Sequence, residues 1–200
     1  MKNREVLIQI LLLLRRNGIN NEKILFALEQ IPPHYYLNLL GYINNYRKIN
    51  YKELVRLLKI LQETLSCKKK LNNVFVSDIK KGWFFSILAI IAKRVYGISL
   101  EKKNIFNAEL VYSYLKLSNI FLKKGSSLLD WKQVAPFDLI ILFKNYNVAP
   151  IEYLEFLDDK GILFFTKENK NKVTIMKCNK YKNIEKLNIE GFSLNENIIL

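Results

Sequence analysis

The sequence of 200 residues contains one histidine, two cysteines, seven glycines and no apolar run long enough to cross a membrane. A single histidine, His34 beside Pro33, leaves too few parts for a serine-protease-like triad or for a zinc site built on two histidines, and a packing or turn role suits it better. Cys67 and Cys178 stand far apart in no metal or redox spacing, which fits a reducing compartment with two incidental thiols. The apolar runs 6–14 and 83–92 are about half of what a membrane-spanning helix needs. Glu5 precedes the first and Arg15-Arg16 follow it without a small-residue cleavage site, so a cytoplasmic location is expected rather than secretion. No Gly-x-x-x-x-Gly-Lys loop occurs, which argues against a nucleotide triphosphatase, and no metal is expected.

Acidic residues are scarce too: 18 Asp and Glu face 32 Lys and Arg, a formal charge of +14. Such a balance ordinarily suggests nucleic acid or an acidic membrane surface as partner. Here the basic residues are scattered, and no aromatic-basic motif of a known RNA module is present. Lys, Asn and Ile are all abundant, as drift of a genome toward A and T would produce. A basic RNA-binding module is therefore the weakest of the functional readings.

Half of the residues are apolar, enough for a sizeable core, and the length favours one α/β domain over residues 1–200. Residues 4–40 carry apolar positions at helical intervals, broken at Asn17-Gly18, where a left-handed pair can close one helix before Asn21 caps the next. Residues 51–65 form another amphipathic helix, followed by Lys68-Lys69-Lys70, whose charge suits a helix C-terminus. The helical lead-in thus spans 1–66, and the sheet with its helices spans 73–200. The spacing predicts strand 74–78, helix 82–93, strand 94–100, helix 102–116, strands 120–124 and 137–143, helix 149–157 and strand 161–166. Alternation of this kind implies a mostly parallel central sheet with helices on both faces. Residues 161–166 and 173–178 read as a terminal antiparallel hairpin. The acidic neighbours Glu152, Glu155 and Asp158-Asp159 read as solvated.

The most informative stretch runs from Asn119 to Gly161. It holds Gly125-Ser126-Ser127, Trp131 and Ala135-Pro136-Phe137-Asp138, then an apolar run that suits a buried parallel strand. This segment resembles the fourth-strand region of protein-L-isoaspartate O-methyltransferases, whose pattern is a Gly-Asp-Gly loop, a Trp, then Ala-Pro-Phe-Asp. Gly125, Trp131 and Ala135 to Asp138 match, while Ser126 stands where that family has the loop acid. Arg16-Asn17-Gly18-Ile19, Ile31-Pro32-Pro33-His34-Tyr35-Tyr36 and Ile189-Glu190-Gly191-Phe192 are similar to the family's opening helices, its Val-Pro-Arg-Glu-x-Phe element and its closing strand. The resemblance implies a Rossmann-like class I methyltransferase fold. It also implies methyl transfer from S-adenosylmethionine to isoaspartyl carboxylates in damaged proteins or peptides, the partners of such an enzyme.

The resemblance also shows erosion. Where the family carries Leu-Glu-Ile-Gly-x-Gly-x-Gly, this chain has Val76-Ser77-Asp78-Ile79-Lys80-Lys81-Gly82-Trp83-Phe84-Phe85. In one register Gly82 is the last glycine and Ser99 replaces the acid that holds the ribose. In the other, Asp78 fills the loop's acid position, Gly82 is the middle glycine and Glu101 falls at the ribose position. Only one of three glycines survives in either, and a non-glycine residue forced into a left-handed conformation costs about 1–2 kcal/mol. The competing reading is an ordinary strand-to-helix turn, with Lys80 and Lys81 solvated and Trp83 and Phe84 in the core. The family's acceptor segment corresponds to Tyr46-Arg47-Lys48-Ile49-Asn50-Tyr51-Lys52, where only Ile49 agrees. On this alignment Asn50 is the catalytic-side candidate near the acceptor, and a solvated loop before a helix capped near Asn50 is the alternative. The cofactor-binding candidates are Asp78, Gly82, Ser99, Glu101 and Ser126. The remaining functional readings are a weakened repair methyltransferase and a catalytically inert relative serving as a protein-interaction scaffold.

Overall fold

The computed structural model describes residues 2–32, 48–79, 82–169, 172–187 and 197–199. The chain divides into two compact units, Met1–Glu63 with Ile189–Leu200, and Thr64–Asn188.

In the first unit, α1 (Lys2–Arg16) buries Ile10 and Leu14. It ends as its sequence predicts: Gly18 takes φ +78°, its N–H donates to Arg15 O at 2.9 Å and Ile19 N–H reaches back to Leu14 O at 3.0 Å. The Asn21 side chain then accepts from Lys23 N–H at 3.1 Å and Ile24 N–H at 3.4 Å, capping α2 (Glu22–Gln30). The turn is stapled to α3 (Tyr51–Cys67) by Gln62, which accepts from Asn20 N–H at 2.8 Å and donates to Gly18 O at 2.8 Å. A loop was expected at residues 48–50; instead β1 (Lys48–Asn50) pairs antiparallel with β9 (Asn197–Ile199), so long-range pairing overrides the local polar pattern. The expected closing strand at 189–194 lies outside the described residues.

The second unit is a mixed sheet of β2 (Leu71–Val76), β3 (Ala92–Ser99), β4 (Ile120–Lys124), β5 (Phe137–Asn145), β6 (Leu157–Asn169), β7 (Lys172–Asn179) and β8 (Ile184–Lys186). Its order is β4-β3-β2-β5-β6-β7-β8, parallel from β4 through β6 and antiparallel across β6-β7-β8. This is the expected crossover-linked sheet with a C-terminal hairpin. All six residues from Phe137 to Leu142 are buried, because a central parallel strand is covered on both sides.

Neighbouring residues of β3 show what covers each face. Gly97 turns toward α4 (Gly82–Ile91): a Cβ there would lie 2.6 Å from the Phe85 ring and 2.9 Å from Leu122. Tyr96, one residue earlier, turns the other way onto Trp131, with ring centroids 4.9 Å apart. Trp131 belongs to a 3-10 helix, Leu128–Val134, and α5 (Lys102–Tyr114) joins α4 beside β3 and β4. The helix predicted at 149–157 is a shorter 3-10 helix, Ile151–Phe156, entered from Pro150. Strand pairing claims its end: Leu157 already faces Phe137 in the β5-β6 ladder.

Lys68 was expected as a charge suited to a helix C-terminus, and Asp158 as solvated; both are drawn into one ion-pair cluster. The Lys68 ammonium pairs with the buried carboxylate of Asp138 and with Asp158 at 2.9 Å, while Asp138 also accepts the backbone N–H groups of Asn72 and, at 3.0 Å, Asn73. The acid inside the apolar β5 run is therefore the anchor that ties α3's exit, β2 and β6 together.

Candidate functional site at the carboxyl ends of the strands

Strand order reverses at β2, whose neighbours are β3 on one side and β5 on the other. A cleft for a nucleotide-like ligand in an open α/β sheet lies outside the carboxyl ends of the strands at such a switch point. Ser77 closes β2 there, its N–H donating to Ile141 O and its Oγ accepting from Phe143 N–H, each at 2.9 Å. Asp78 follows, half-buried, and Ile79 is buried. Lys80 and Lys81 lie outside the described residues. Gly82 opens α4 and is buried, with its carbonyl accepting the hydroxyls of Ser86 and Tyr112 at 3.3 Å. Phe84 sits in the core, as the strand-to-helix-turn reading expects, and so does Phe85, whereas Trp83, expected there too, is half-buried.

The other candidates meet one strand away. Ser99 ends β3; its Oγ accepts from Glu101 N–H at 3.2 Å and its carbonyl accepts from Gly125 N–H at 3.0 Å. The turn thus takes one acceptor site of the Ser99 hydroxyl. Glu101 is exposed at the N-cap of α5, and its side chain makes no capping bond. Ser126, also exposed, donates its N–H to Asp130 Oδ2 at 3.0 Å. Ser99 and Glu101 therefore lie in the turn after β3 and Ser126 in the loop after β4, the two joined by the Gly125 N–H to Ser99 O bond, with Asp78 and Gly82 after the adjacent strand β2. Asn50 ends β1 in the other unit, paired with Asn197, and its side chain is not among the described features; Arg47 lies outside the described residues, and so does His34.

Asp130 is the residue that sequence reading missed. Its carboxylate accepts from Ser126 and Ser127 N–H, at 3.0 and 3.2 Å, while Ser127 Oγ accepts from Leu129 N–H at 3.2 Å. This is a capping box, and the signal was present as Ser127-x-x-Asp130. An acid thus returns to the loop four residues after the position Ser126 vacated, with its Oδ2 turned onto the chain's own amides and packed over Gly125. Lys123 Nζ donates to Asp130 O at 2.9 Å and stands 5.3 Å from the Trp131 ring centre, and the Trp131 indole N–H donates to Gly97 O at 3.0 Å. Across the mouth, Tyr153 Oη lies 3.3 Å from Ser127 Oγ. Burial, followed by the neighbouring Tyr153, pushes the Tyr146 hydroxyl up to about 12. These two tyrosines, after β5 and in the second 3-10 helix, also went unassigned in the sequence.

No group of three or more His, Cys, Asp and Glu side chains able to hold a metal occurs among the described residues. No described helix is long and apolar enough to cross a membrane. The strand ends offer the carboxylates of Asp78 and Glu101 and the hydroxyls of Ser99 and Ser126, a donor and acceptor set suited to binding and orienting a polar ligand.

Comparison with known proteins gives a consistent assignment. Residues 2–191 match the family model for protein-L-isoaspartate(D-aspartate) O-methyltransferase. The protein-L-isoaspartate O-methyltransferase of Hahella chejuensis is 27% identical over 170 residues, 82% of this chain and 81% of that protein. That of Maricaulis maris is 26% identical over 177 residues, 86% and 83% of the two chains. Among solved structures, a Plasmodium falciparum protein of the same description, in complex with S-adenosyl-L-homocysteine, superposes with a TM-score of 0.67 at 15% identity. It covers 89% of this chain and 91% of its own, a likeness of fold. The chain belongs to the protein-L-isoaspartate(D-aspartate) O-methyltransferase family.

Proposed function

We propose that this protein is an S-adenosylmethionine-dependent methyltransferase acting on the carboxylate of isoaspartyl residues in damaged proteins, with a weakened hold on its cofactor. The observation that carries the reading is the family match across residues 2–191, joined to a strand-order switch point beside which two adjacent strand ends are followed by the carboxylates of Asp78 and Glu101. The residues fit the cofactor in part. Glu101 is the carboxylate suited to ribose hydroxyls, because its side chain makes no cap bond, whereas the Ser99 hydroxyl is engaged by Glu101 N–H. Asp78 offers a negative group for the cofactor's amino end, and Gly82 leaves room for backbone approach at the start of α4. Ser126 lies on the loop that would border the base. S-adenosylmethionine supplies an activated methyl group, and the accepting carboxylate is already a nucleophile, so the protein needs to bind, align and exclude water rather than supply a base. Asn50 remains the acceptor-side candidate, and a cytoplasmic location goes with this reading.

The loss of affinity follows from two departures. Lys80 in either register, and Phe84 in the second, stand where the family keeps glycines, and the Asp130 carboxylate is engaged by Ser126 and Ser127. The second departure also favours the other reading, an inert scaffold for protein interaction. Calorimetric titration with S-adenosylhomocysteine at millimolar concentration separates them. Saturable heat is expected, lost in Glu101→Ala; its absence in the unaltered protein removes the enzyme reading and leaves the scaffold.

A further inference from the structure

α5 is apolar on two opposite sides, and only one is covered. Val111 and Tyr112 are buried against the sheet, while Phe106, Leu110 and Tyr114 are 61%, 47% and 66% exposed. Spaced four residues apart, these three form one stripe about 12 Å long on the outer side. An outer helix face normally carries polar residues, so a continuous apolar stripe marks an interaction surface. Beside it lies an open hollow of about 360 Å³, lined by Glu109, Tyr112, Ser113, Lys116, Leu117 and Ile120 among others. Glu109 and Ser113 belong to α5 itself, so stripe and hollow adjoin. Exposed Lys102 and Lys103 stand at one end of the stripe and exposed Lys116 at the other, against Glu109.

We propose that this face docks a short amphipathic helix of a partner protein whose polar side is acidic. The partner's apolar residues would lie along Phe106, Leu110 and Tyr114, one of them entering the hollow, in the helix-in-groove manner. Its carboxylates would meet Lys102, Lys103 and Lys116. A second copy of this chain suits the face poorly. Two-fold pairing of α5 with itself about Leu110 brings Lys102 and Lys103 near the Lys116 of the other copy, and each molecule carries +14. The inference is independent of methyl transfer, since no residue of the stripe belongs to the strand-end cleft.

The test uses the full chain and a fluorescein-labelled synthetic peptide of about four helical turns, with leucines on one side and glutamates on the other. Two control peptides share its length: one with the same composition scrambled, one with lysines for glutamates. Fluorescence anisotropy is expected to give micromolar, saturable binding of the acidic amphipathic peptide and at least roughly tenfold weaker binding of both controls. Leu110→Glu and the milder Leu110→Gln are expected to weaken it, the former by about tenfold or more, with unchanged far-UV circular dichroism. Three results would each overturn the proposal. These are equal binding of the scrambled peptide, variants that bind like the unaltered chain, and sedimentation showing a dimer that Leu110→Glu dissociates.

Discussion

Asp138 illustrates how much one side chain can decide. A carboxylate 2% exposed within an apolar strand is tolerable only because Lys68 and two backbone N–H groups of β2 surround it. Removing one partner of such a pair leaves an uncompensated buried charge or orphaned donors. Asp138→Ala is expected to destabilise the protein by roughly 3–5 kcal/mol, read as a lowered urea midpoint. Lys68→Met, which leaves the carboxylate unpaired, should fall in the same range, whereas a loss under about 1 kcal/mol for both would show the pair to be a surface-like contact. From the sequence, Asp138 was visible as part of Ala135 to Asp138 and as the lone acid of its strand. Its partner was not, because nothing local links Lys68 to a residue seventy positions away.

At the scale of elements, the strands were legible where they alternate with helices and less so where pairing sets their ends. Residues 120–124 are the strand expected, yet β6 and β7 run beyond their apolar cores because the ladder between them extends to Asn169 and Lys172, and β5 runs on to Asn145, which pairs with Thr166. Gly97 shows the packing of one element on another. Its missing Cβ is what lets Phe85 of α4 and Leu122 of β4 approach β3, so Gly97→Ala should cost roughly 1–3 kcal/mol through overpacking, measured by denaturant unfolding. The β4 exit loop depends in turn on its capping box. Asp130→Ala removes the acceptor for Ser126 and Ser127 N–H and should lower stability by about 1 kcal/mol. Faster hydrogen exchange confined to residues 125–128 would accompany it. Unchanged exchange there would mean that the carboxylate does not hold the loop.

For the whole molecule, the ion pairs linking distant segments predict how stability varies with pH. The hydrogen bond from Lys68 holds the Asp158 carboxyl below its usual range, so its contribution is present above about pH 4 and is lost as pH falls through the depressed value. Burial pulls the Lys68 ammonium down, but hydrogen bonds to Asp138 and Asp158, with their charges, carry it above its usual value. That contribution is complete below about pH 10.4 and fades as pH rises further. Urea midpoints should therefore be level between these limits and fall on both sides, with Asp158→Asn flattening the acid side. An acid limb of equal steepness in the variant would contradict the assignment. The excess of positive charge, a compositional fact in the sequence, acquires local meaning where lysines meet particular partners, as Lys68 does at Asp138 and Asp158 and Lys123 at the Asp130 carbonyl.

Periodicity and a few capping residues were enough to establish the order and type of most elements, and the motif from Gly125 to Asp138 was enough to point to the family. Both are written in short spans of chain, where neighbouring side chains and backbone geometry suffice. What the tertiary structure alone decided was which polar groups far apart in the chain engage one another: Asp138 with Lys68 and the Asn73 N–H, Gln62 with the Gly18 carbonyl, the Trp131 indole with the Gly97 carbonyl. Those choices depend on hydrogen-bond geometry between residues that only folding brings together, and they separate a group able to meet a ligand from one already holding the protein together.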